Sequence, residues 1–140
     1  MRTASRRRAL VVEADSRTRQ ICERILESCG AAVDVTESGV TALTIARRKR
    51  PDIAIVDSQL RDCTGLEFVR WLRSNATLKS VPIIVLSISA DDLDKSRGLD
   101  IRAVLTKPIS PDAMMAAVRE VLHPTAVQPT DSLGGQASKL

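Results

Sequence analysis

The sequence has almost no aromatic residues: Phe68 and Trp71 are the only two, and tyrosine is absent. Stacking platforms for single-stranded nucleic acid use several exposed rings, so that class of binder is excluded. Histidine occurs once, as His123, and cysteine three times, as Cys22, Cys29 and Cys63. The odd count and the lack of metal-ligand spacing argue against a disulfide scaffold or a zinc site. They favour reduced thiols in a cytosolic protein. Long apolar runs are also missing. The longest uncharged one, Val81 to Ala90, is too short to span a bilayer, and polar residues interrupt it. Glu13 breaks the pair Val11-Val12 at once, so no secretory signal follows the N-terminal arginines.

What is present points to one folded domain. The chain has 140 residues and is 44% hydrophobic, enough to bury a sizeable core and to exclude intrinsic disorder. The formal net charge of +4 invites a nucleic-acid reading, but Arg2, Arg6, Arg7 and Arg8 account for it. Without them 17 basic residues face 17 acidic ones. A basic surface for DNA on the body of the protein is therefore not indicated.

Five strand–helix units follow one another. Ala9 to Val12 is a short continuous apolar run, the mark of a strand buried on both faces. Asp15 or Ser16 caps a helix bearing Ile21, Cys22, Ile25, Leu26 and Cys29, and Gly30 ends it. Ala32 to Thr36 alternates as a second strand. Ser38 caps a helix carrying Val40, Leu43 and Ala46 that finishes in Arg47 to Arg50, cations suited to a helix C-terminus, before Pro51. This basic run reads as a solvated helix end. Ile53 to Val56 is a buried strand ending on Asp57. Thr64 and Glu67 have capping-box spacing for a helix with Leu66, Val69, Trp71 and Leu72. Val81 to Leu86 reads as the fourth strand, with Pro82 tolerated near its start. Ser89 opens a short helix closed by Gly98, and Ile101 to Leu105 is the fifth strand. Ser110-Pro111 starts a last helix with Met114, Met115, Val118, Val121 and Leu122, which Pro124 ends.

This alternation implies an α/β fold, a doubly wound parallel sheet in the flavodoxin-like order 2-1-3-4-5. The expected division is a basic arm over 1–8, a folded domain over 9–123 and a flexible tail or linker over 124–140. Ligands of such sheets bind beyond the strand C-termini. There the sequence places Glu13, Asp57, Ser87 and Lys107. No apolar period requires these four polar groups, and each costs something to hold at a core edge. Asp57 suits a nucleophile that forms an aspartyl-phosphate. Lys107 suits charge neutralisation on phosphoryl oxygens, and Ser87 a hydrogen bond to one of them. Glu13 suits a Mg²⁺ ligand. A dinucleotide or P-loop site needs a glycine-rich turn after the first strand, and Glu13 to Ser16 contains no glycine.

From Ala9 to Leu122 the chain resembles a response-regulator receiver domain of the CheY-like type. The resemblance is carried by Leu10-Val11-Val12-Glu13, Ile53-Ala54-Ile55-Val56-Asp57, Gly65-Leu66-Glu67, Val81 to Ser87 and Leu105-Thr106-Lys107-Pro108. It implies a role in two-component phosphorelay signalling rather than an enzyme, with Asp57 accepting phosphate from a histidine kinase or phosphotransfer protein. It also implies Mg²⁺ held by Glu13, Asp57 and the Gln59 backbone carbonyl, sensing by Ser87 and Lys107, and a cis Lys107-Pro108 bond. A downstream protein partner and pairing into a homodimer through the fourth and fifth helices follow from the same analogy. No output domain and no membrane partner are expected.

Four departures stand out. The family usually has two adjacent acids after the first strand; here they are Glu13 and Ala14, so Mg²⁺ binding is expected to be weakened. Asp15 is one position too far, its side chain expected to point elsewhere. Ile88 replaces a small residue beside Ser87, and Arg61 a proline. The switch aromatic of the fifth strand falls on Val104, which has no ring to rotate. Ala14, Ile88 and Val104 together support the alternative of a pseudo-receiver, a protein-interaction module that works without phosphorylation.

Overall fold

The structure, a computed structural model, describes residues 6–87 and 89–124. The expected tail over 125–140, arm residues 1–5 and the position of Ile88 lie outside the described residues. Five strands alternate with five helices in chain order: β1 (Arg7–Val12), α1 (Ser16–Ser28), β2 (Ala31–Thr36), α2 (Gly39–Arg48), β3 (Ile53–Asp57), α3 (Gly65–Arg73), β4 (Ile83–Ser87), α4 (Ala90–Lys95), β5 (Ala103–Thr106) and α5 (Pro111–Leu122). The strands form one parallel sheet in the order β2-β1-β3-β4-β5, as the alternation implied.

The apolar runs explain the layering. Successive strand side chains point to opposite faces. Leu10, Val12, Ala54, Val56, Ile83 and Val85 meet Ala42 and Ala46 of α2 and Phe68, Val69 and Leu72 of α3 on one face. Ala9, Val11, Ile53, Ile55, Ile84 and Leu86 meet Cys22, Ile25 and Leu26 of α1 and Met114, Val118 and Leu122 of α5 on the other. Strands covered on both sides need no polar alternation, and β3 and β4 are buried along their whole lengths.

Local signals hold at most helix ends. Asp15, rather than Ser16, caps α1 by accepting from the Thr18 backbone N–H, and Ser38 and Ser110 cap α2 and α5 in the same way. Thr64 and Glu67 form the full capping box of α3. Gly30 takes φ +89°, a left-handed turn that glycine enters without steric cost.

Strand starts are where the expectations shift. β1 begins at Arg7, so Arg7 and Arg8 belong to the sheet rather than to an arm. The Arg8 N–H donates to Asp52 Oδ2 at 2.7 Å, a partner far along the chain. β4 begins at Ile83 instead of Val81, because the Val81 N–H is used in a turn on Leu78 and Pro82 has none to offer. β5 begins at Ala103 instead of Ile101.

Arg73 near the end of α3 joins the loops that precede β4 and β5. Its guanidinium donates to Leu99 O at 2.7 Å, Lys79 O at 2.8 Å, Val81 O at 2.9 Å and Asp100 O at 3.0 Å. Asp100 has φ 55°, a left-handed conformation that Arg73 helps to hold. Replacing Arg73 by Met keeps the stem but leaves four carbonyls without their charged donor. The variant should lose about 2 kcal/mol of stability in urea denaturation followed by circular dichroism.

Candidate functional site at the C-terminal edge of the sheet

Register brings the site together. Val12 of β1 lies beside Val56 of β3, so the next residues, Glu13 and Asp57, emerge side by side. Lys107 follows β5 and reaches back across the end of β4. Its ammonium lies 2.9 Å from Asp57 Oδ2 and 3.1 and 3.2 Å from the two Glu13 oxygens. Three of the four expected groups thus form one cluster. Glu13 is fully buried, Asp57 nearly so, and the Lys107 ammonium compensates both.

Each side chain is positioned by backbone that is itself tied down. Arg19 of α1 donates to the carbonyls of Glu13 and Ala14 at 2.9 and 3.3 Å, holding the β1–α1 turn. Asp57 Oδ1 accepts from the Gln59 N–H at 3.0 Å. The Ser58 N–H continues the sheet onto Leu86 O, and the Gly65 N–H closes the loop on Ser58 O. A Cβ on Gly65 would overlap the Asp57 carbonyl, so this position needs glycine for close backbone approach. The Lys107-Pro108 bond is cis.

Asp62 fixes the other side of the β3–α3 loop. It accepts from Ser38 Oγ, the Gly39 N–H and the Val40 N–H at 2.8, 3.0 and 3.1 Å, sitting on the N-terminus of α2. Those bonds hold its carboxyl down at about 2. Arg61 adds an exposed ion pair to Glu37 at 3.2 Å. Arg19, Asp62 and Gly65 were not assigned these roles from sequence, because their partners lie on other elements.

Ser87 stands apart from the cluster in its bonding. Its hydroxyl donates to Ser89 O at 2.8 Å and accepts from the Ser89 N–H at 3.0 Å. Asp15 points elsewhere, as expected: its Oδ2 accepts from both Thr18 N and Thr18 Oγ1 at 2.8 Å. Val104 is half-buried against the α2/α3 side of the core. Cys22 and Cys63 remain thiols, pushed up to about 12 and 11, in each case first by burial.

For a divalent cation the cluster offers two carboxylates, Glu13 and Asp57. Among the described residues no third His, Cys, Asp or Glu joins them. Glu13 Oε1 is buried and accepts no aligned hydrogen bond, although the Lys107 ammonium is near, so it is an oxygen with free coordinating capacity. Hard cations such as Mg²⁺ are held by one or two carboxylates with water and phosphate oxygens, so the residues fit the ion in a reduced form.

Burial pushes the Glu13 carboxyl up to about 7, reinforced by hydrogen bonding to Asp57 and by the Asp57 charge. The folded state therefore holds this proton more tightly than the unfolded chain, whose glutamate titrates near 4.5. The Glu13 contribution makes stability fall as pH rises from 4.5 towards 7. Glu13→Gln should remove that decline, read as urea midpoints of both proteins across the same window.

The comparisons agree with this geometry. The family model described as "Response regulator receiver domain" matches residues 9–119. The transcriptional regulatory protein GltR of Pseudomonas aeruginosa is 32% identical over 123 residues, covering 86% of this chain and 51% of that protein. The chain thus spans about half the length of that relative. The polar-differentiation response regulator DivK of Brucella anthropi is 29% identical over 115 residues, covering 81% of this chain and 94% of its own. Among solved structures, chemotaxis response regulator CheY4 of Vibrio cholerae superimposes with a TM-score of 0.77 at 26% identity, covering 84% of this chain and all of that one. With its β2-β1-β3-β4-β5 sheet and an acid–lysine cluster at the strand ends, the chain belongs to the response regulator receiver domain family.

Proposed function

We propose that the domain is a phosphoacceptor in two-component signalling, with Asp57 as the accepting residue and Glu13, Ser87 and Lys107 serving it. The observation that carries this reading is the Lys107 ammonium, 2.9 Å from Asp57 Oδ2 at the end of a buried strand. A carboxylate oxygen of Asp57 attacks the phosphorus of a phosphohistidine on a histidine kinase or phosphotransfer protein. The phosphorus–nitrogen bond breaks, and an acyl phosphate forms on Asp57. The domain is then the recipient of the transfer rather than an enzyme with its own substrate. Lys107 neutralises the phosphoryl oxygens that replace the free carboxylate as its partner. Ser87 reaches the phosphoryl group only by releasing Ser89 O, which couples the site to the loop that leads into α4.

A groove of about 500 Å³ beside the cluster supports docking of the phosphodonor. It is lined by Asp15, Arg17, Thr18 and Ile21 of the α1 end and by Lys107, Pro108 and Ile109. Receiver domains generally bind Mg²⁺ at the acidic pocket, and when bound it supplies further neutralisation of the phosphoryl oxygens. Glu13, Asp57 and the Gln59 carbonyl would hold it here, with weakened affinity because Ala14 supplies no second acid. A cytoplasmic location suits this exchange; no helix among the described residues is long and apolar enough to cross a membrane. The output passes to a downstream protein, and pairing of two copies is compatible with it. Nothing in the geometry of the cluster favours the phosphorylation-independent alternative.

Incubation with acetyl phosphate and Mg²⁺, followed by intact mass measurement, should add one phosphoryl group to the wild type and none to Asp57→Ala. An unmodified wild type would overturn the reading. Ala14→Asp should restore a second acid and tighten Mg²⁺ binding about tenfold, measured by isothermal titration calorimetry.

A further inference from the structure

Helices α2 and α3 lie side by side on one face of the sheet, with a groove of about 350 Å³ between them. Val40, Leu43 and Arg47 line it from α2, Trp71 from α3, and Ser74 and Asn75 from the turn that ends α3. The α2 residues fall at helical spacing along one stripe, two turns long, or about 10 Å. Val40 is 57% exposed; the other exposed large hydrophobic among the described residues, Val35, is at 37%. The single tryptophan of the chain is half-buried in the opposite wall.

Charge along the groove is one-sided. Arg47 lines it, and Arg48 and Lys49 follow Arg47 at the end of α2; all three are exposed and form no ion pair among the described residues. Arg50 differs, because its guanidinium is occupied by Thr77 O and Ser80 Oγ. At the near end every carboxylate is engaged: Asp62 on the α2 N-terminus, Glu67 in the capping box and Glu37 with Arg61. The α2 macrodipole accounts for cations in the last turn, but it gives no reason for an open valine and a tryptophan-walled groove leading to them.

We propose that this groove docks an amphipathic helical segment of a partner protein, its apolar row seated against Val40, Leu43 and Trp71 and its acidic residues against Arg47, Arg48 and Lys49. Helix-in-groove recognition uses anchors at i, i+3 or i+4 and i+7, which matches the two-turn length of the groove. Charge complementarity selects an acidic partner and orients it along the groove. The apolar floor favours a protein over a nucleic acid, which would need only the cations. The groove is separate from Asp57, so the proposal does not rest on phosphorylation.

The probe is a synthetic helical peptide with a leucine row and a cluster of glutamates at one end, beside a twin with lysine for every glutamate. Trp71 emission reports binding directly. The glutamate peptide should give a saturable shift, at least about tenfold tighter than its twin and weakened by added salt. Val40→Asp, at an exposed position, should abolish the response. The pair Arg47→Glu and Arg48→Glu should reverse the preference towards the lysine peptide, a gain that misfolding does not produce. No saturable response, equal response to both peptides, or a response indifferent to Val40→Asp and to the charge reversal would overturn the proposal. Sedimentation showing a dimer that Val40→Asp dissolves would assign the groove to a second copy of the chain instead. Binding of duplex DNA that Val40→Asp leaves unchanged would overturn it in favour of a purely electrostatic surface.

Discussion

Parallel pairing of β1 with β3 is the constraint on which the site depends. Because Val12 lies beside Val56, the residues that follow are forced to leave the sheet together. Two carboxylates at the same buried edge repel each other and lose hydration. The arrangement persists because the Lys107 ammonium is brought to both from the end of β5. A buried cluster of this kind is a poor stabiliser and a good chemical site, since removing the Lys107 ammonium leaves two buried carboxylates uncompensated.

The surrounding structure serves to keep that cluster in place. Arg19 clamps the turn after β1, Gly65 lets the start of α3 abut the backbone of Asp57, and Asp62 fastens the intervening loop to α2. Arg73 does the same work at the opposite edge, joining α3 to the loops before β4 and β5. Arg19, Asp62 and Arg73 each satisfy backbone groups outside their own element with one polar side chain, and Gly65 works by having no side chain at all. That is how a sheet whose strands are short and almost wholly apolar holds precise loop geometry at its rim.

Departures from the usual receiver pattern fall at the strand ends, in the β3–α3 loop and in β5. Ala14 stands where the usual pattern has a second acid, while Glu13 is drawn into the lysine pair and its carboxyl is raised by burial. Val104 is half-buried and packs against the edge of the core. The polar work of the site is therefore carried by fewer groups than in the usual pattern, with Lys107 at their centre. The face formed by α2 and α3 holds the only tryptophan of the chain and a run of cations.

By itself the sequence determined the alternation of strands and helices, the order of the sheet, and most helix caps. These follow from local rules: apolar period, Ser38 and Ser110 as caps, the Thr64–Glu67 pair, and Gly30 at a left-handed turn. It also marked Glu13, Asp57, Ser87 and Lys107, because polar residues at the ends of buried strands have no packing reason to be there. Only the tertiary structure decided which of them meet. Lys107 bridges Glu13 and Asp57, whereas the Ser87 hydroxyl bonds with Ser89, a choice between partners that spacing along the chain does not distinguish. It alone also exposed the anchoring roles of Arg19, Asp62, Gly65 and Arg73, and the start of β1 at Arg7. Their partners are backbone groups on other elements, and a backbone group leaves no trace in the identity of the residue that carries it.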